Sequence, residues 1–486
     1  MLSFLTCANY IDETDGLKAV LLNISKCDFL KSSMKVSLTN SRHWKHRGVF
    51  VLALVGSSFG LSNIWKFPYL ISDQGGGTFL LVYFLCLIVV GVPMMMSEAL
   101  IGRAKHLNPF QAIQSLSVEV GASPHWAWIG LLAILTGVLT FSFYSIVAAW
   151  IFYYIFSFFS GLLLDVGVDQ SSNHFTAMFG SSKSLLISHS LFMLLVFVVL
   201  SAGVRYGLDR AIRYLVPMML LLLVLLLVYA SQTDFFDQAY LHLFSVNLEL
   251  ITFKMLIMAL GHTFFTLSLG MGVIMIYGSY LSRSEPIGYS LINVAVLDTL
   301  LALMIGLVVL SILLSVRMDP VSGPSLLFIV LPVAFNQIDA GQVLAVLFFL
   351  LVGIAAITSA ISLLESLTAF IEQQMSIPRY VAAILSVGLA WFISLMMLFS
   401  VMLFSVYTLF EMRLFEFLNL LTIYFLLPIV SFALMIFVGW VLGREVTEKE
   451  LSLSPAPYAA WRFCIRYIVP TVIGLIFVSN LYNAGF

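Results

Sequence analysis

Charge is what this 486-residue chain has least of. Asp, Glu, Lys and Arg make up 10% of it, against about 25% in soluble domains. With 61% of residues hydrophobic, too few polar side chains remain to cover a water-facing surface, and a multi-span membrane protein is the class left. A formal net charge of -1 gives no basis for a nucleic-acid partner. The four cysteines, Cys7, Cys27, Cys86 and Cys464, follow no metal-ligand spacing and no disulfide framework, and read as ordinary thiols. His242 and His262 are isolated, and no His, Cys or carboxylate cluster forms a catalytic constellation, which argues against an enzyme. No ring of repeated filter residues speaks for a channel.

What the chain has is apolar runs. About eleven spans are expected, roughly 48–71, 78–102, 125–160, 184–203, 211–230, 254–280, 287–315, 342–373, 379–404, 415–441 and 462–483. Residues 1–47 are mixed polar and read as a cytoplasmic tail, of which 1–33 is a tail or an over-extended start. Ser322–Ile338 is apolar but carries Pro324 and Pro332, so it reads as a re-entrant or capping loop. With the N-terminus in the cytoplasm, eighteen of the 23 Lys and Arg fall inside; Lys183, Lys254, Arg317 and Arg413 fall outside, and Lys66 lies within span one. The bias satisfies the positive-inside rule, and an odd span count puts the C-terminus outside. A multi-pass protein of the cell's inner (plasma) membrane is expected, in contact with the lipid bilayer. Nothing in the sequence separates a monomer from a homodimer.

Two spans are interrupted. Gly56-Ser57-Ser58-Phe59-Gly60-Leu61-Ser62-Asn63 sits inside the first apolar run, with two glycines, three serines and an asparagine in eight residues. Glycine is a poor helix former, and serine and asparagine compete for backbone partners. Irregular backbone at membrane depth survives only inside protein or along a water-filled cavity, so the stretch is a kink, a packing face or a binding site. The sixth span repeats the pattern in Phe264-Phe265-Thr266-Leu267-Ser268-Leu269-Gly270-Met271-Gly272. Two broken segments five spans apart indicate an inverted repeat with a midplane site for anionic groups and cations.

Longer motifs carry a resemblance. His46-Arg47-Gly48 through GSSFGLSNIWKFPYL, then Gly75-Gly76-Gly77-Thr78-Phe79, Gly91-Val92-Pro93 and Glu98, resembles the first two spans of the neurotransmitter:sodium symporter family. FFTLSLGMG is similar to that family's sixth span, and Thr358-Ser359-Ala360-Ile361-Ser362-Leu363-Leu364-Glu365 to its eighth, in order and spacing from about Trp44 to Tyr482. The resemblance is to the family's bacterial amino-acid transporter branch. It implies an all-α LeuT-type fold, with a 5+5 inverted repeat over 48–230 and 254–441, discontinuous spans one and six, and an extra helix at 462–483. It further implies sodium-coupled import of an amino acid by alternating access. A sensor on the same fold that binds without cycling is the other reading.

The same resemblance implies two sodium sites. One comprises Ser58, Asn63, Thr266 and Asp298 with the substrate carboxylate; the other comprises Gly56, Phe59, Ala355, Thr358 and Ser359. Asp298 departs from the asparagine common in relatives, and a mid-span acid is functional by default. It can supply the negative charge that chloride supplies elsewhere, so chloride is not expected to be required. Gly60 stands where monoamine carriers have an aspartate, which leaves a carboxylate-bearing substrate. The carboxylate is expected at free N–H groups near Ser58 and Gly60 and at the Tyr144 hydroxyl, and the amino group at carbonyls near Phe265 and Ser268. The matched pocket, Ser57, Thr140, Val147, Phe265, Met271, Ser359 and Leu363, is mostly apolar and suits a neutral hydrophobic amino acid. Outer gating falls to Lys66, Glu416 and Asn419 over the aromatics Tyr144 and Phe265. Inner gating falls to Arg42, Trp44 and Glu372. Gly207 and Pro217 are expected to ease unwinding in span five.

Overall fold

A computed structural model describes Trp44 and residues 47–180, 182–318, 320–321, 323–402, 412 and 414–483. Among these the chain forms helices and no strand element. The first span is split into α1 (Arg47–Ser58) and α2 (Ser62–Asp73), bent by 56° at the break. Then come α3 (Gly77–Lys105), the short α4 (Pro109–Glu119), α5 (Pro124–Phe159), α6 (Val168–Gly180), α7 (Lys183–Ser201), α8 (Val204–Ala230) and the short α9 (Phe236–Phe244). The second half opens with α10 (Phe253–Thr266) and α11 (Val273–Ser279). It continues through α12 (Ile287–Ser315), α13 (Leu326–Asn336), α14 (Gly341–Met375), α15 (Arg379–Ser400), α16 (Leu414–Val441), α17 (Arg444–Leu451) and α18 (Pro455–Ser479).

Among the described residues nine helices are long and apolar enough to cross a membrane, and α1 with α2 makes a tenth. α10 and α11 occupy the expected sixth span, separated by Leu267–Gly272. The eleven expected segments thus each have a helical counterpart. α5 and α14 are enclosed on most sides, whereas α7, α8 and α18 face largely outward. On α8, Leu221, Val224, Leu225 and Val228 are exposed while Leu223, Leu226 and Ala230 are buried. An apolar outer face is what a helix against lipid requires.

Seven π turns occur among the described helices, and five of them, Ser62–Lys66, Leu87–Gly91, Leu326–Val330, Leu421–Leu426 and Cys464–Ile468, end two residues before a proline. Proline has no N–H, and its ring presses on the carbonyl four residues back. Widening the preceding turn relieves the clash and re-pairs the carbonyls inside the membrane. In span five a π turn over Val204–Leu208 contains Gly207 without a proline after it, while Pro217 lies inside a regular helix, so the unwinding expected there is not seen at the proline.

One expected boundary needs correction, and one helix is additional. The last span begins at Pro455 rather than 462, because Arg462 and Arg466 belong to the helix and bond carbonyls near the end of α16 (Leu442 O, 3.4 Å; Gly439 O, 2.6 Å). Cations there complement the unpaired carbonyls of a helix end. The α15 helix is described to Met402, and its expected end at 404 lies outside the described residues. The helix α6 was not anticipated; it packs on the capping segment α13, where Ser171 Oγ donates to Ile329 O at 3.0 Å and Phe175 stacks on Phe328. Cys86 and Cys464 are unpaired thiols; Cys7 and Cys27 lie outside the described residues.

Candidate ion and substrate site

The two breaks are where the backbone leaves the helix, and they face each other. The first is narrower than the sequence suggests, running Phe59–Leu61, with Ser57 and Ser58 still on α1. In the second, Ser268, Gly270 and Gly272 take left-handed φ of 52°, 72° and 75°. A Cβ on Gly270 would stand 2.6 Å from Ser431 Oγ, so glycine is needed there for space as well as for φ. The Gly270 N–H is instead received by Glu98 Oε1 at 2.8 Å.

Four of the expected ion ligands converge across the breaks. Thr266 Oγ1 lies 2.6 Å from Asn63 Oδ1, 3.3 Å from Asp298 Oδ2 and 3.4 Å from Ser58 O. Asn63 Nδ2 donates to Asp298 Oδ1 at 2.8 Å. All four residues are buried. One hydroxyl proton cannot serve three acceptors, so this oxygen set is short of positive charge. A hard cation, which takes oxygen ligands, would correct that. Asp298 points inward because Val296, Leu297 and Leu300 turn the opposite face of α12 outward.

A second oxygen cluster lies where α14 meets α1. Ser359 Oγ approaches Ser57 O at 3.1 Å and Gly56 O at 3.4 Å, and Thr358 Oγ1 approaches Ala355 O at 3.1 Å and Ile354 O at 3.2 Å. The Cβ direction of Gly56 points at Thr358, whose Oγ1 is 3.6 Å away. Phe59 is fully buried in the first break, with its N–H bonded to Val55 O.

An outer cavity of about 590 Å³ reaches this region. Lys66, Asn419, Tyr144, Val147 and Phe265 line it, with Gly323 and Pro324 from the segment before α13. Tyr144 joins the cavity to the buried interior, since a Cβ on Gly60 would lie 3.4 Å from Tyr144 Oη and 3.0 Å from Ser359 Oγ. Thr140, Ser268, Met271 and Leu363 are buried. A side chain at Gly60 would enter this space, which agrees with the lack of an acid there.

Some expected roles are not met. The Gly60 N–H is not free for a carboxylate; it donates to Ser58 O at 2.8 Å, closing a tight turn. The Ser268 N–H donates to Phe265 O at 3.2 Å. Glu416 is exposed and lies off the cavity wall, because Phe415, one turn before Asn419, takes the inward position. His262, isolated in the sequence, stacks on Phe67 and tilts against Tyr83, off the cavity wall. Arg42 lies outside the described residues.

The network around Trp44 and Glu372, both expected at the inner gate, also contains Tyr277, Tyr280, Glu365 and Arg379, which sequence reasoning did not place there. Trp44 Nε1 donates to Tyr277 O at 3.3 Å, and its ring meets Tyr277 and Tyr280 edge-on. Tyr280 Oη donates to Glu365 Oε1 at 2.5 Å. Arg379 pairs with Glu365 and, at 3.1 Å, with Glu372, and its Nε bonds Leu200 O at 2.9 Å. Glu365 and Glu372 are seven residues apart, on one face of α14. Two acids on one face of an apolar span call for a cation, and Arg379 at the start of the next helix supplies it.

This oxygen-lined meeting of two broken helices has counterparts among known proteins. The family model described as sodium:neurotransmitter symporter family matches residues 41–173 and 170–485. The chain belongs to the sodium:neurotransmitter symporter family. An uncharacterized sodium-dependent transporter of Haemophilus influenzae is 28% identical over 448 residues, covering 90% of this chain and 98% of that protein. One of Bacillus subtilis is 28% identical over 442 residues, covering 90% and 97%. The crystal structure of MhsT in complex with L-phenylalanine aligns with a TM-score of 0.80 at 29% identity, covering 90% of this chain and 99% of that one. The fold is therefore the all-α LeuT type of the symporter family, and the protein is a sodium-dependent membrane transporter by family. The family and its structural neighbour are transporters rather than enzymes.

The Arg379 network yields a stability test. Replacing Arg379→Gln leaves the buried Glu365 carboxylate without its cation, a loss of about 3–5 kcal/mol for a broken buried pair. The purified protein in detergent should show a clearly lower unfolding midpoint. Adding Glu365→Gln should recover part of it, and a double variant no more stable than the single would mean the pair is not coupled.

Proposed function

We propose that this family member imports a neutral amino acid, with a mainly apolar side chain, by sodium-coupled symport with alternating access across the plasma membrane, N-terminus inside and C-terminus outside. The observation that carries the reading is the buried oxygen set of Ser58, Asn63, Thr266 and Asp298 at the meeting of the two breaks, which one hydroxyl proton leaves short of positive charge. Sodium enters that set as one cargo ion, and the substrate carboxylate completes it. A second sodium is held by the carbonyls of Gly56, Phe59 and Ala355 with the hydroxyls of Thr358 and Ser359. The residues 48–230 and 254–441 act as the two repeats, with 462–483 beyond them.

The arrangement favours an outward-facing state. The cavity opens past Lys66 and Asn419 to Tyr144 and Phe265, while Trp44, Tyr280, Glu365 and Arg379 hold the opposite side together. Tyr144 Oη has no hydrogen-bond partner and faces Gly60 and Ser359, so it is available to a carboxylate. The substrate's amino group goes to carbonyls of the second break around Phe265 and Ser268, sharing Phe265 O with the Ser268 N–H that it already accepts. Import then requires the inner network to open once ions and substrate are bound, and MhsT with bound L-phenylalanine supports an amino acid as the class of substrate.

The deciding experiment is uptake of labelled amino acids into proteoliposomes under an inward sodium gradient. A sodium-dependent concentration above the outside level supports the symporter; saturable binding with no accumulation would instead identify a non-cycling sensor. The combined change Thr358→Val and Ser359→Ala removes two adjacent hydroxyls and leaves only carbonyls, and sodium-stimulated substrate binding should be lost in folded protein. Undiminished sodium dependence would refute the second ion position.

Asp298 gives a separate test. Two cations and a zwitterion bring net positive charge into a low-dielectric site, and a fixed carboxylate offsets it. Transport should therefore persist when chloride is exchanged for gluconate. Asp298→Asn should be inactive, or become chloride-dependent if an anion enters beside the small side chain of Ala302 one turn on. A wild type that stops without chloride would show that Asp298 has another role.

A further inference from the structure

Ser57 Oγ and Thr140 Oγ1 are buried in the site region, at 5% and 2% residue exposure, and neither has a hydrogen-bond partner. Thr140 is the exception on its own helix. Thr136 donates back to Leu132 O at 2.8 Å, Ser142 to Val138 O at 2.9 Å, Ser145 to Ser142 O at 2.9 Å and Ser157 to Tyr153 O at 3.0 Å. Thr140 has the Thr136 carbonyl one turn before it and does not use it. On α1 the contrast repeats, with Ser58 Oγ bonded to Val55 O at 3.2 Å and Ser57 Oγ bonded to nothing. A helical hydroxyl satisfies itself by turning to a preceding carbonyl. A buried one that does not is held toward something else or is left unsatisfied at real cost.

Both residues lie beside the same stretch of α14. Ser57 O receives Ser359 Oγ at 3.1 Å. Gly137, one turn before Thr140, points its Cβ direction at Met271 O (2.7 Å) and Leu363 O (3.4 Å). Ser359 and Leu363 are successive positions on one helix face. Ser57 approaches that face from the first break and Thr140 approaches it from α5. The rest of this pocket, Val147, Met271 and Leu363, is apolar and buried.

We propose that Ser57 and Thr140 set the selectivity of this site, and that its substrate is a neutral amino acid whose otherwise apolar side chain carries one hydrogen-bonding group, a hydroxyl or an indole N–H. The proposal rests on the reading of the site as an amino-acid site. A purely aliphatic or phenyl side chain leaves both hydroxyls unpaired when it seals the pocket. A charged side chain meets too few partners among apolar neighbours. A single hydroxyl or N–H between the two pairs with one or both, and a site with committed polar groups rejects the analogue that lacks the partner.

The test uses matched pairs as competitors of sodium-dependent binding to the purified full chain: valine against threonine, and phenylalanine against tyrosine, with tryptophan alongside. In the better-bound pair the polar member should compete about tenfold more tightly, the scale of one buried hydrogen bond. Thr140→Val, which keeps the shape and removes the hydroxyl, should bring that ratio to one or below. Ser57→Ala should act in the same direction, and Thr140→Ser should preserve the wild-type ratio. Equal or better competition by the apolar members in the wild type overturns the proposal. So does a polar preference that survives both Thr140→Val and Ser57→Ala. If amino acids bind but the pairs are not distinguished, the selectivity role alone fails; if no amino acid competes at all, the reading of the site fails with it.

Discussion

The constraint on which the structure depends is that a bilayer offers no hydrogen bonds to an interrupted helix. Both breaks leave N–H and C=O groups that lipid cannot satisfy, so protein must surround them. The enclosed helices α5 and α14 do this, and side chains of α3, α10 and α14 meet those groups. Ser359 reaches carbonyls of the first break, Thr266 reaches Ser58 O, and Glu98 receives the N–H of Gly270. Each device that covers a break also concentrates oxygen at membrane depth.

The prolines illustrate the same physics away from the site. A proline inside an ordinary helix would leave a carbonyl unpaired, and the chain responds with a widened turn ahead of five of them. Charge is treated in a similar way. Arg462 and Arg466 sit on carbonyls near the end of α16, and Arg379 sits between two acids and a backbone oxygen. With charged residues so scarce, these are tied to specific partner sets, and the one around Arg379 is the densest.

Much of the architecture was legible beforehand because membrane helices are written in composition. Apolar runs located the spans, and weak helix formers located both breaks. The matched motifs named residues that the fold does bring together, such as Asn63, Thr266 and Asp298, although they are far apart in the chain. Local reasoning failed where a residue's role depends on which way it turns. Glu416 and Phe415 are adjacent, and only the helical phase puts Phe415 on the cavity. The Gly60 N–H looked available until the turn claimed it. Arg379 was counted as a loop cation, though the pair Glu365 and Glu372 on one helix face was the signal for it.

The residues expected at the ions came from the family resemblance; the sequence by itself determined the class, the spans and the interrupted segments. These follow from short-range properties: transfer of apolar side chains into lipid, and the weak helix propensity of glycine, serine and asparagine. The tertiary structure alone decided which partner each polar group has. Hydrogen-bond pairing is set within a few tenths of an ångström by helices distant in the chain. Thr140 and Thr136 are the same residue type one turn apart on one helix. Only packing decides that Thr136 bonds back to its own helix while Thr140 is left for a partner from outside it.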